Sequence, residues 1–197
     1  MLKDLPSQKL RHLFKILDFD HNGVLQKSDL YGIADNIDIF ANLLDDNLKK
    51  TYLREDADEI WSLIEDYFQN PTIDMITVDQ WLLFMEYHFS GEDMRRVNSN
   101  IITVVTRIRE IFDINQDRQL SRKEFMAIFV SMRVEVRHAH QCFMEIDTNG
   151  DNFISDSELT RATKQFFRSN KTKDCGNQLF GVMGSSHFTT NAYYLNS

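Results

Sequence analysis

Between Asp147 and Glu158 the chain reads D-T-N-G-D-N-F-I-S-D-S-E, with oxygen-bearing side chains at positions 1, 3, 5, 9 and 12: Asp147, Asn149, Asp151, Ser155 and Glu158. The carbonyl of Phe153 is due at position 7. A tight twelve-residue loop sets alternate residues around one centre, and a hard cation of the size of Ca²⁺ takes six to eight oxygens at about 2.3–2.6 Å. A closing glutamate is long enough to give two of them. A plain polar turn needs no apolar residue at position 8, where Ile154 stands, so the pattern points to oxygen coordination of a metal ion.

Two further segments carry the same order. Asp18, Asp20, Asn22, the Val24 carbonyl, Gln26 and Asp29 hold positions 1, 3, 5, 7, 9 and 12, with Gly23 at position 6, where the chain needs an unhindered turn. Asp29 is one methylene shorter than Glu and gives one oxygen, so six short bonds favour Mg²⁺ and a mixed Mg²⁺/Ca²⁺ site is expected. Asp113, Asn115, Asp117, the Gln119 carbonyl, Ser121 and Glu124 form the third set. Position 6 there is Arg118, and a left-handed backbone costs a non-glycine residue about 1–2 kcal/mol. Arg118, Arg122 and Lys123 also dilute the negative field. The Asp113 loop is therefore expected to bind more weakly than the Asp147 loop, which has Asn152 at position 6 and no cationic side chain.

A fourth segment, Gln69 to Gln80, keeps the outline without the chemistry. Ile76 stands at position 8 and Thr77 at position 9, but Gln69, Pro71, Ile73 and Gln80 put no carboxylate at positions 1, 3, 5 and 12. A dication there would lack charge compensation, so the loop is expected to be vacant. It persists because such loops pair through a short antiparallel bridge between their position-8 residues, and Leu25 needs Ile76. Capping boxes at Thr77-x-x-Gln80, Ser121-x-x-Glu124 and Ser155-x-x-Glu158 start the outgoing helices.

Helices must hold these loops. Leu10, Leu13, Phe14 and Leu17 predict a helix over Ser7–Leu17, and an outgoing helix begins near Leu30. Helical spacing runs through Ile39, Leu43, Leu44 and Leu48, then through Ile60, Trp61, Ile64 and Phe68, with a break expected among Thr51 to Asp56. The run Phe89–Asp93 is the expected boundary between halves. Beyond it Ile101, Val104, Val105, Ile108, Ile111 and Phe112 lead into the Asp113 loop, and Phe125, Ile128, Phe129 and Met132 leave it. Val136, Ala139, Cys142, Phe143 and Ile146 lead into the last loop, and its outgoing helix ends near Ser169. His138 and His140 diverge by about 200° on a helix and read as surface residues. The segment 170–197 has too many apolar groups to stand exposed, so Gly176 to Met183 should fold back on the helices.

A net charge of −8 argues against nucleic-acid or anionic-membrane partners and suits carboxylates gathered around cations. The start, Met1 to Pro6, has no apolar run of signal-peptide length and no glycine after Met1 for myristoylation, so a cytoplasmic protein without a membrane anchor is expected. Two isolated cysteines fit reduced packing residues. G-x-S-x-G, H-E-x-x-H and phosphate-cradling glycine motifs are absent, so no enzymatic function is expected.

Three charged loops with the second vacant, loop starts 51 residues apart in the first pair (Asp18, Gln69) and 34 in the second (Asp113, Asp147), and the ending F-F-R-S-N…G-N-Q-L-F-G resemble the EF-hand superfamily, and within it the sarcoplasmic calcium-binding proteins and calexcitins. Asp29 closing loop one belongs to the same resemblance. It implies an all-α fold of four EF-hands in two pairs, short antiparallel β-bridges between paired loops, and a tail packed back on the helices. The expected divisions are 1–90, 91–169 and 170–197. The implied role is a monomeric cytosolic Ca²⁺/Mg²⁺ buffer with three metal sites. The alternatives are a calcium sensor that opens an apolar groove to a protein target, and a luciferin-binding protein or photoprotein, whose loop order is the same. Recoverin-type sensors are set apart by a myristoylated glycine and a disabled first hand.

Overall fold

The computed structural model describes residues 4–44, 52–90 and 94–183. Among these the chain runs α1 (Asp4–Leu17), β1 (Val24–Leu25), α2 (Lys27–Leu44), α3 (Leu53–Phe68), β2 (Ile76–Thr77), α4 (Val78–Ser90), α5 (Met94–Phe112), β3 (Gln119–Ser121), α6 (Arg122–Ser131), α7 (Ala139–Ile146), β4 (Phe153–Ser155) and α8 (Asp156–Arg168). Short 3₁₀ turns stand at Val136–His138 and Cys175–Gln178. Helices flank every loop, as the periodicity requires, and α3 begins inside the interval expected for the break. The Leu48 position and the residues after Gly184 lie outside the described residues.

The loops pair in the anticipated register. Leu25 stands opposite Ile76, and Leu120 opposite Ile154, in two antiparallel two-stranded sheets. All four position-8 side chains are at most 1% exposed. Loop one is thus backed by loop two, which has no acid at positions 1, 3, 5 and 12, and the loops that start at Asp113 and Asp147 back each other. Ser121 and Ser155 complete reciprocal capping boxes with Glu124 and Glu158. Thr77 and Gln80 do the same: the Thr77 backbone N–H donates to Gln80 Oε1 at 2.8 Å, and the Gln80 N–H to Thr77 Oγ1 at 3.3 Å.

The apolar interior is one cluster drawn from both halves, including Leu10, Ile64, Trp81, Phe112, Phe143 and Phe166. Phe89 of α4 stacks on Phe167 of α8 with ring centroids 5.1 Å apart. Arg107 of α5 pairs with the buried Asp56 of α3 at 2.6 Å. One helix departs from its expected face. In α2 the inward stripe is Ile33, Ile37 and Ala41, while Ile39 and Leu43 are 57% and 76% exposed. Two positions along a helix turn a side chain by about 200°, so one set must face outward once the other is buried. His138 and His140 also do not share a helix: His138 ends the 3₁₀ turn and His140 lies in α7, with His140 exposed.

The tail folds back as expected, and the chemistry is specific. Gly176 lies so close to α8 that a Cβ there would sit 2.2 Å from the Ala162 carbonyl oxygen. Asn177 is buried, and its amide donates to the carbonyls of Lys171 and Thr172 at 2.9 and 3.1 Å. Leu179 is buried, and Phe180 packs edge-on against Phe166 at 4.8 Å. From α1, Lys9 Nζ donates to the carbonyls of Gln165 and Ser169 and to Asn177 Oδ1, at 2.9, 2.7 and 3.2 Å. His12 Nε2 meets the Phe180 carbonyl at 2.8 Å. The first helix, the last helix and the tail are therefore tied together. Among the described residues, no helix is long and apolar enough to cross a membrane.

Candidate metal centres

Each charged loop starts from an aspartate that organises the backbone. In loop one Asp18 Oδ1 accepts the Asn22 N–H at 3.0 Å and Oδ2 accepts the Gly23 N–H at 3.0 Å. In loop three Asp113 accepts from the N–H groups of Asp117 and Arg118 at 3.0 and 2.9 Å, and in loop four Asp147 accepts from Gly150 and Asn152 at 2.8 and 3.0 Å. Position 6 is left-handed in all three, with φ of 87° at Gly23, 64° at Arg118 and 69° at Asn152. The turn anticipated at Arg118 is thus made despite its side chain.

The next ligand positions repeat a second local pattern. Asn22, Asp117 and Asp151 accept the N–H of Val24, Gln119 and Phe153 at 2.9, 2.8 and 2.9 Å, which directs the position-7 carbonyls. The amides of Asn115 and Asn149 donate to Asp117 and Asp151 at 2.8 and 2.9 Å, so position 3 lies against position 5. In loop one the Asn22 amide reaches Asp20 at 2.9 Å and Gln26 at 3.2 Å. Ser121 and Ser155, at position 9, hold their capping boxes.

The closing residues are buried and reach back across the loop. Glu158 accepts from the Thr148 N–H at 2.9 Å, the Asn149 N–H at 3.3 Å, the Ser155 N–H at 3.0 Å and the hydroxyls of Thr148 and Ser155 at 3.0 and 2.8 Å. Burial works to raise its pKa, but the bonds from Ser155 and Thr148 prevail and hold it near about 2. Glu124 bridges the Ile114 and Ser121 N–H groups at 3.1 and 2.8 Å. Asp29 does the same on its shorter arm, accepting from Phe19 at 3.2 Å and Gln26 at 2.7 Å. Burial raises its pKa and the neighbouring charges of Asp20 and Asp18 add to that, against the backbone bonds from Gln26 and Asp20. Asp18, Asp20 and Asp29 each bring an oxygen within 4.8 Å of the others, the one such acid, histidine or cysteine trio among the described residues. In the other two loops Asn115 and Asn149 stand in place of the second of these acids.

This donor set is all oxygen, half of its residues carboxylates, with a buried acid at each end of the three loops that start at Asp18, Asp113 and Asp147. It fits a hard dication. In loop two the polar side chains serve the turn and cap instead: Asn70 Oδ1 accepts from Thr72, and Gln80 closes on Thr77.

Loop four has no cationic side chain of its own, but packing brings cations to it from elsewhere. Arg122 reaches over to loop four, where it donates to Asn152 Oδ1 at 2.5 Å and lies over the Phe143 ring. Arg161 donates to the Thr148 hydroxyl of the same loop. A residue that spacing did not single out, Arg109, is buried beside loop three, with Nη1 3.2 Å from Asp113 Oδ2. Its available sequence signal was a charge four residues before the loop, where loops one and four have Phe14 and Phe143.

A family model described as "EF hand" matches residues 139–162, and one described as "EF-hand domain pair" matches residues 1–36. Residues 1–36 and 139–162 are thus similar to EF hands. Calerythrin from Saccharopolyspora erythraea is 26% identical over 183 residues, covering 84% of this chain and 94% of calerythrin. A sarcoplasmic calcium-binding protein from amphioxus superposes with a TM-score of 0.68 at 15% identity, over 92% of this chain and 99% of its own. The calcium-loaded apo form of the coelenterazine-binding protein from Renilla muelleri gives 0.61 at 16% identity, over 92% and 100%. The fold is thus the one implied by the loop order and the G-N-Q-L-F-G ending.

Proposed function

We propose that this EF-hand protein is a cytoplasmic Ca²⁺/Mg²⁺ buffer with three metal sites, at residues 18–29, 113–124 and 147–158, and a vacant hand at 69–80. The observation that carries this reading is that positions 1 and 12 of each charged loop are buried acids, at 3–7% exposure, while the corresponding residues of loop two are uncharged. Acids withdrawn from water repel one another until a dication neutralises them. Site one is read as the Mg²⁺-tolerant centre because Asp29 offers less reach than Glu124 or Glu158. We read residues 1–90 and 91–169 as the two EF-hand pairs and 170–197 as the tail.

Buffer is favoured over sensor because the tail already covers Phe166 and Phe167 with Phe180. A luciferin-binding role is less favoured. The apolar cavity near Trp81, Phe84, Met85 and Phe180 holds about 120 Å³, against the roughly 300 Å³ or more of ordinary ligand pockets. Calorimetry of the chelator-stripped chain with Ca²⁺ and then Mg²⁺ should give three sites; fewer than two would defeat the proposal.

A further inference from the structure

Arg109 is 5% exposed, and four residues before their loops the Asp18 and Asp147 hands carry Phe14 and Phe143, both buried. A charge has therefore replaced a core ring in one hand of three. Burying an arginine is costly unless carboxylates meet it, and the carboxylates that do are informative. Nη1 lies 3.2 Å from Asp113 Oδ2, the oxygen that also accepts the Arg118 N–H. Nη2 lies 3.4 Å from Glu110. Nε lies 3.0 Å from Asp156 Oδ1, in the first turn of α8 between Ser155 and Glu158, without hydrogen-bond alignment. One guanidinium thus touches the first acid of loop three and the helix start that carries the last acid of loop four.

From this geometry we infer that Arg109 is an internal counter-ion that lowers metal affinity at the Asp113 centre and makes that affinity depend on Asp156 in the neighbouring hand. It rests on the reading of residues 113–124 as a metal site. A fixed cation beside Asp113 opposes an incoming dication, and Asp156 partly offsets it. Arg109 is a positioning and affinity-setting residue, not a ligand.

The test follows the backbone amides of Gly23, Arg118 and Asn152 by NMR during Ca²⁺ titration of the full chain, since each donates to the first acid of its own loop. Arg109→Met should tighten the Arg118 response on the order of tenfold, the scale a unit charge exerts at contact range. Arg109→Lys, which keeps the charge, should stay within about twofold of the parent, so a merely structural role is separated from an electrostatic one. Asp156→Asn should weaken the Arg118 response in the parent but not in the Arg109→Met background. In the chelator-treated parent the Arg109 Nε–Hε signal should be protected from exchange. Equal Arg118 affinities in parent and Arg109→Met, or a lysine variant that behaves as methionine does, would overturn the inference while leaving the metal site standing. An Arg118 amide unmoved by Ca²⁺ in the parent would remove the site itself.

Discussion

Lys9 Nζ donates to Asn177 Oδ1 at 3.2 Å, although the two residues lie 168 apart in the chain. The ammonium is fully buried and also caps the Gln165 and Ser169 carbonyls, at and just beyond the end of α8, where the helix dipole favours a cation. Lys9→Met removes all three donors and leaves buried acceptors unpaired. It should cost about 2–4 kcal/mol, read by urea denaturation in excess Ca²⁺.

The same lysine gives a pH signature. Burial lowers its pKa from 10.5 to about 8, with Asp174 opposing the shift. Between those values the unfolded chain holds a proton that the folded one has released, so this group's contribution to stability rises with pH across the window. Below about pH 8 lysine is charged in both states and the contribution is flat. The difference in Tm between the parent and Lys9→Met should therefore change from pH 8 to 10.5 and stay constant from pH 6 to 7.5.

Asp29→Glu should add the second oxygen that loop one lacks. Ca²⁺ affinity at the Asp18 centre should rise by about tenfold or more while Mg²⁺ affinity falls, because Mg²⁺ does not accept the larger coordination number. Competitive calorimetry with the two ions measures both changes.

Ile76→Ala tests why a hand without acids at positions 1 and 12 is retained. Ile76 is 0% exposed and faces Leu25 across the bridge. The cavity should cost about 2–5 kcal/mol, and Ca²⁺ should bind more weakly at loop one although no loop-one residue has changed. Unaltered loop-one affinity in a destabilised protein would show that the bridge supports the fold alone.

Phe180→Ala should separate buffer from sensor. With the ring gone, the faces of Phe166 and Phe167 become accessible, and a hydrophobic dye should bind in calcium where the parent does not bind it. If the parent already takes up dye on adding Ca²⁺, the buffer reading fails.

What the sequence settled by itself is local. The capping boxes and the Leu25–Ile76 and Leu120–Ile154 pairings are legible because a twelve-residue loop has little freedom in where it places alternate side chains. Helix faces were legible only in part: Ile39 and Leu43 are apolar at helical spacing yet exposed, since spacing does not say which stripe finds a partner. The tertiary structure decided where the long cations go. Lys9 enters the joint between α8 and the tail, Arg122 crosses to loop four, and Arg109 spans Asp113 and Asp156. These destinations depend on helices brought together from distant parts of the chain, and a flexible side chain carries no periodic mark of its partner. The acidic loops are written in covalent spacing; the cations beside them come from packing.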